Sequence, residues 1–191
     1  MKKQDVIDFF DRCAPTWDDE LIRNDEVVEK ILNNGGIKKG VFVLDVACGT
    51  GVLFPDYIKR GAVVTAIDIS PEMVAVAKNK FPNINVICGD VEETDFTEKF
   101  DAVMVYNAFP HFPSPENLIK KLSEVLKVGG RLSIAHGMSR EDLLKHHNEK
   151  ASEVSVELPY AETLAKMFEP FFDVDIMVSD NDMYQVSGIR K

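Results

Sequence analysis

Five short apolar runs alternate with helical patterns through the middle of this chain: Val41–Ala47, Ala62–Ile69, Ile84–Gly89, Asp101–Asn107 and Arg131–His136. Each has strand length and β-branched content, and each is apolar enough to be covered on both faces. Strands of that kind, separated by helices, specify a parallel sheet buried between two helical layers. The helix signals are mechanical. Ser70-Pro71-Glu72 opens a helix over Met73–Lys80, and Ser114-Pro115-Glu116 opens another that carries Leu118, Leu122, Val125 and Leu126 on one face. Gly129 and Gly130 are expected to stop that second helix. Near the end the period changes. Phe171–Val178 and Met183–Ile189 are separated only by Ser179-Asp180-Asn181-Asp182, a connection too short for a parallel crossover, so the sheet is expected to finish in an antiparallel hairpin. Residues 4–13 and 24–34 read as helices preceding the first strand and are expected to form a cover over one edge or end of the sheet.

With 191 residues the chain suits one domain, which buries roughly 70% of its unfolded surface. Its 32 acidic and 22 basic residues give a formal charge of −10 without a basic cluster, which argues against nucleic acid or anionic lipid as partners. No apolar run approaches the roughly 20 residues of a membrane span, and Asp5, Asp8 and Asp11 break any signal-peptide core. Cys13, Cys48 and Cys88 form an odd set with no CxxC pair, which suits a reducing, cytoplasmic setting.

Chemistry enters at Val43-Leu44-Asp45-Val46-Ala47-Cys48-Gly49-Thr50-Gly51, a buried strand that runs into a glycine-rich turn and then a helix. Such a turn lets a ligand approach the backbone and meet unpaired N–H groups. A dinucleotide site would want a third glycine at position 54, which is Phe54, and Asp45 is badly placed for a pyrophosphate. A ligand bearing an ammonium fits Asp45 better. Asp68, at the end of the second strand, is placed to accept hydrogen bonds from both hydroxyls of a ribose. Asp90, between Gly89 and Val91 at the end of the third, suits an exocyclic amine, and Ile69 with Met73 can sandwich an adenine.

The ordered series VLDVACGTG, AIDIS, GDVEE, FDAVMVYNAFPHF and LKVGGRLSIAH resembles the motifs of the class I S-adenosylmethionine-dependent methyltransferases, in particular the small-molecule group typified by ubiquinone and menaquinone biosynthesis. The segment FFDRCAPTWDD, Phe9–Asp19, is similar to the stretch that precedes the domain in that group. The resemblance implies an α/β, Rossmann-like, doubly wound sheet of seven strands, order 3-2-1-4-5-7-6 with strand 7 antiparallel. It divides the chain into a helical cover (1–38), a cofactor-binding core (41–136), a substrate-shaping insertion (139–168) and the terminal hairpin (171–190). It also implies S-adenosylmethionine as cofactor, S-adenosylhomocysteine as product, and a small-molecule acceptor methylated by direct in-line displacement. Asp45, Ala47, Gly49 and Gly51 would hold the methionine moiety, Asp68 the ribose, and Asp90 with Val91 the adenine. Asn107 and Ala108 would flank the sulfonium, with Phe10 and Trp17 closing over the cofactor.

His111 and His136 each follow or end a strand where ligands bind in open α/β sheets, and either is a candidate to take a proton from a phenol, amine or thiol. Asn107 has a second reading as a loop cap, and Tyr160 is a candidate for the acceptor pocket. His146 and His147 point about 100° apart on a helix, so a metal site is not favoured. Two other functions stay open on the sequence: a non-catalytic cofactor-binding sensor or scaffold, and a nicotinamide-dependent oxidoreductase, which Phe54 and Asp45 disfavour.

Overall fold

The first strand, β1 (Phe42–Val46), is buried along four of its five residues and pairs in parallel with β2 (Val63–Asp68) on one side and β4 (Phe100–Tyr106) on the other. The computed structural model describes the backbone of residues 1–191 and all side chains except those of Glu20 and residues 146–150. His146 and His147 therefore lie outside the described residues. With β3 (Asn85–Cys88), β5 (Leu126–His136), β6 (Phe172–Ser179) and β7 (Tyr184–Arg190), the sheet has the order β3-β2-β1-β4-β5-β7-β6. β7 runs antiparallel to both its neighbours, as the terminal hairpin requires. The turn between β6 and β7 is held by Asp180, whose Oδ1 accepts from the amides of Asp182 and Met183.

Alternation along the strands divides the core into two layers. Val43, Ala66, Ala102 and Met104 face helices α2 (Asp25–Asn34), α3 (Phe54–Arg60) and α4 (Pro71–Lys80), meeting Ile31, Leu32, Tyr57, Val74 and Ala77. Leu44, Val46, Val103 and Val105 face the other way, toward Leu118, Ile119 and Leu122 of α5 (Pro115–Val125) and Leu164 and Phe168 of α7 (Ala161–Phe168). α4 starts as its cap residue dictates, with the Ser70 hydroxyl accepting from the Met73 amide.

Two local expectations fail. α5 stops at Val125, before the glycines, and residues 126–130 join β5 instead. Leu126 is fully buried and pairs with Phe100, so extended pairing captures the chain before Gly129 is reached. Ser114 makes no side-chain cap bond, leaving Pro115 to start that helix. Within 139–168, α7 is a sheet-covering helix and α6 (Arg140–Lys150) joins the same layer through Leu143, whereas the short 3-10 turn Ser152–Val154 lies outside it. Val6 and the rings of Phe9 and Phe10 in α1 (Lys3–Cys13) pack with Ala151 and Val154, so the N-terminal cover and the first part of that segment meet. A second 3-10 turn, Ala14–Glu20, continues α1. Among the described residues no helix is long and apolar enough to cross a membrane.

Candidate active site at the strand ends

The chain runs outward from β1 to β2 and β3 and then returns to the other side of β1 as β4. The carboxyl ends of β1 and β4 therefore form the switch point where open α/β sheets bind ligands. A cavity of about 1070 Å³, its mouth and the adjoining solvent included, opens there. Its floor is the turn after β1, where Ala47 and Gly49 both take positive φ, 53° and 55°. A Cβ built on Gly49 meets nothing within 4 Å, so that backbone faces open space. Gly51 differs. It lies outside the cavity lining, and its Cβ would stand 2.6 Å from the Phe54 ring. Gly51 packs instead on Phe54, the residue that occupies the third-glycine position.

Asp45 is 2% exposed, and its Oδ2 has no hydrogen-bond partner among the described residues. Burial first, then the charge of Asp68, pushes its carboxyl well above the usual carboxylate range. Asp68 bridges two loops: Oδ2 accepts from the Gly49 amide (2.8 Å) and Oδ1 from the Ser70 amide (2.9 Å). Burial raises its pKa, the two amides pull it back, and Asp11 adds to the rise. Asp90 accepts from the Glu92 amide at Oδ1 (2.9 Å) and from Lys3 Nζ at Oδ2 (2.5 Å). Lys3 also meets Glu92 at 2.9 Å. Burial opposes the Lys3 charge, but these partners outweigh it and raise its pKa. Ile69, Met73 and Val91 add apolar wall beside the three acids. Cys48 also touches the cavity, but burial, reinforced by Asp45 and Asp68, pushes its thiol well up, so it is a poor nucleophile.

On the β4 side the cavity is lined by Tyr106, Asn107, Ala108, His111 and Phe112. Asn107 has φ 53°, and its Oδ1 accepts from the Gly137 amide (2.9 Å), tying the ends of β4 and β5 together while it lines the site. The reading as a loop cap is thus met by that bond. Phe10 and Trp17 form the roof, edge to face at 5.6 Å, and Phe10 meets the His111 ring edge to face at 4.9 Å. His111 Nδ1 lies 2.8 Å from the Val154 carbonyl oxygen. A carbonyl only accepts, so Nδ1 carries the proton and Nε2 the lone pair of the neutral ring. Burial lowers this pKa, against the Val154 bond that raises it.

His136 lies apart from this group. It is 0% exposed, outside the cavity lining, and stacked edge to face with Tyr184 of β7 at 6.1 Å. The strand pairing sets it opposite Tyr184, apart from the cavity. Tyr160 is likewise away from the cavity, 63% exposed beneath the Arg140 guanidinium at 3.9 Å. Among the described residues no group of three or more His, Cys, Asp or Glu side chains could hold a metal ion.

Sequence reasoning missed the polar contacts that hold the N-terminal cover down. Asp11 accepts from the Ser70 hydroxyl (2.5 Å) and the Glu72 amide (3.2 Å) at the start of α4. Asp18 accepts from the Thr50 hydroxyl (2.6 Å) and Lys80 (2.5 Å), and Arg23 grips Asp56 with its terminal nitrogen at 2.9 and 2.8 Å. The three-residue spacing of Asp5, Asp8 and Asp11 was the only local hint of a polar helix face.

The doubly wound sheet, with its bare turn at the switch point, defines a Rossmann-like ligand-binding domain. Residues 43–130 match the family described as methyltransferase domain. Ubiquinone biosynthesis O-methyltransferase of Coxiella burnetii is 39% identical over 99 residues, covering 49% of this chain and 42% of that protein. Malonyl-[acyl-carrier protein] O-methyltransferase 1 of Ilyobacter polytropus is 30% identical over 173 residues, covering 87% of this chain and 64% of the relative. Magnesium protoporphyrin IX methyltransferase from Synechocystis, solved with bound SAH, shares the fold with a TM-score of 0.74 at 18% identity over 100% of both chains. The likeness to that family lies within residues 43–130, and the chain spans less than two thirds of the length of those curated relatives.

Proposed function

We propose that this protein transfers the methyl group of S-adenosylmethionine to a small-molecule acceptor by direct in-line displacement, with S-adenosylhomocysteine as product. The observation that carries the reading is the buried, unpartnered Asp45 Oδ2 beside the open backbone at Gly49. A carboxylate so placed wants a cation, and the ammonium of the methionine moiety is one, which the bare turn leaves room to enter. Relatives whose names describe O-methyltransferases of quinone biosynthesis and of malonyl-acyl carrier support the same chemistry.

The cofactor supplies a methyl group on a sulfonium that is already a good leaving group, so the protein's task is placement. Asp68 spends one lone pair of each oxygen on Gly49 and Ser70 and keeps the others for the two ribose hydroxyls. Ile69, Met73 and Val91 pack the purine, with Asp90 at its amine edge. Ala47 and Gly49 line the methionine end. Asn107 and Ala108 flank the reacting centre, and Phe10 with Trp17 keeps water out. His111 takes the acceptor's proton at Nε2, with Val154 fixing the tautomer. We read the whole chain as one methyltransferase domain. Residues 1–38 are its cover, 41–136 its cofactor core and 171–190 its closing hairpin, and the acceptor side is shaped chiefly by the first part of 139–168. A cytoplasmic setting suits the three thiols, and the acidic surface favours a small acceptor over a nucleic acid.

Calorimetric titration tests the reading. S-adenosylhomocysteine should bind and NAD should not, and the reverse result would overturn it. A second expectation concerns His111. Its folded pKa lies below the unfolded value of 6.5, so the unfolded chain binds the proton more readily and stability falls as pH drops below 6.5. An NMR titration of the ring should give a midpoint under 6.5, and His111→Gln should lower turnover roughly 10²–10⁴-fold while leaving S-adenosylhomocysteine affinity within about threefold. A midpoint above 6.5 would remove His111 as a base poised in its neutral form.

A further inference from the structure

The N-terminal segment crosses the strand ends in a definite order. Lys3 meets Asp90 and Glu92 after β3, Asp11 meets Ser70 and Glu72 after β2, and Asp18 meets Thr50 after β1. Three polar attachments, each on a different loop, thus lay one strap over the line of acids from Asp90 through Asp68 to Asp45. Between the attachments the strap turns Val6, Phe10 and Trp17 inward, and Leu21 just beyond the third also lines the cavity.

The third attachment differs from the other two because it grips the glycine-rich turn itself. Thr50 sits between Gly49 and Gly51 and is 1% exposed, and its hydroxyl donates to Asp18 Oδ1 at 2.6 Å. The other oxygen of the same carboxylate takes Lys80 Nζ, at the end of α4, at 2.5 Å. One side chain therefore joins strap, turn and α4. Its neighbours Trp17 and Leu21 are part of the roof, so releasing Asp18 frees the roof and the floor at once. Burial works against the Asp18 charge, but Lys80 and Thr50 hold its pKa below the ordinary value, and the contact is ionic at neutral pH.

Resting on the cofactor reading above, we propose that Asp18 is a positioning residue that locks the strap to the glycine turn, so that the cofactor enters and leaves only when the Asp18–Thr50 contact opens. Asp18 touches neither cofactor nor acceptor. It acts through Thr50 and Trp17, and its effect falls on the rate of exchange. The hydrogen bond to a charged acceptor is the stronger half of the lock, and the half-exposed ion pair to Lys80 the weaker.

The chain has one tryptophan, and it lies in the roof, so stopped-flow fluorescence of Trp17 reads S-adenosylhomocysteine binding and release directly. Asp18→Ala should speed release about tenfold. Asp18→Asn keeps an oxygen for the Thr50 hydroxyl and should restore most of the slow release, and Lys80→Met should change it less than threefold. Thr50→Val removes the same bond from the other side, and the double variant with Asp18→Ala should release no faster than either single one. The urea midpoints of these variants should stay close to wild type, which a purely structural role for Asp18 would not allow. Release within twofold of wild type in both Asp18→Ala and Thr50→Val, or additive effects in the double variant, would overturn the lock while leaving the cofactor reading intact. Failure of the wild-type protein to bind S-adenosylhomocysteine would overturn the cofactor reading, and the lock with it.

Discussion

Asp68→Ala is expected to weaken S-adenosylhomocysteine binding by at least about 100-fold. Two hydrogen bonds from a ribose diol to a carboxylate are worth about 1.5–3 kcal/mol each, or roughly 10²–10⁴ in affinity together. The carboxylate also spaces the site, because its two oxygens hold the Gly49 and Ser70 amides on either side of it. Fold stability should suffer much less. The folded pKa of Asp68 is raised, so the native state holds the proton more tightly than the unfolded chain. The carboxylate's contribution therefore falls as pH rises through the folded pKa, and it is a liability at neutral pH. Removing it loses two amide contacts but also relieves repulsion on Asp45, the second cause of that group's raised pKa. Asp68→Asn should be no better than alanine for binding. An amide has one acceptor end, so its NH2 would face the N–H of either Gly49 or Ser70, donor against donor. Calorimetry on both variants, with urea unfolding alongside, checks this; a loss of affinity under fivefold for Asp68→Ala would remove Asp68 from the cofactor site.

The strands were legible because buried parallel strands write themselves as continuous apolar runs, whereas their order came from the family resemblance. Val103-Met104-Val105 serves both layers of the core, and only a doubly covered strand can do that. The acids at positions 45, 68 and 90 were legible for a related reason: each lies in or just after the carboxyl-terminal part of such a run, so topology sends it to the same end of the sheet. What decided between His111 and His136 was not local. Both stand at the carboxyl end of a strand, but β4 borders the open switch point, whereas β5 pairs with β7 and sets His136 opposite Tyr184. The strap was invisible for the same reason. Lys3 and Asp90 are 87 residues apart, Asp11 and Ser70 59, and Asp18 and Lys80 62, and no periodicity links such pairs. Gly129 and Gly130 misled because a helix stop and a strand entry use the same residues, and the burial of Leu126 against Phe100 chose between them.

Gly49 and Gly51 look interchangeable in the sequence, and their alanine variants are expected to fail in opposite ways. At Gly51 the backbone has φ 85°, and a Cβ would lie 2.6 Å from one atom of the Phe54 ring and 2.7 Å from the next. Phe54 is fully buried and stacked on Phe81 at 5.3 Å, so it has no room to retreat. Left-handed strain of about 1–2 kcal/mol and overpacking of about 1–3 kcal/mol together predict a loss of about 2–5 kcal/mol. In a domain of this size that is roughly 5–15 °C in melting temperature. Gly49→Ala carries only the left-handed strain, about 1–2 kcal/mol, because nothing lies within 4 Å of its Cβ. Its methyl group instead projects into open space at a turn that lines the cavity, where the reading puts the methionine moiety. S-adenosylhomocysteine affinity should therefore collapse in Gly49→Ala, while most of the folding stability is kept. Gly51→Ala should melt early, yet bind with near-normal affinity at a temperature where it is still folded. Thermal unfolding and calorimetry on the pair separate floor from scaffold, and wild-type affinity in Gly49→Ala would mean that the turn does not hold the cofactor.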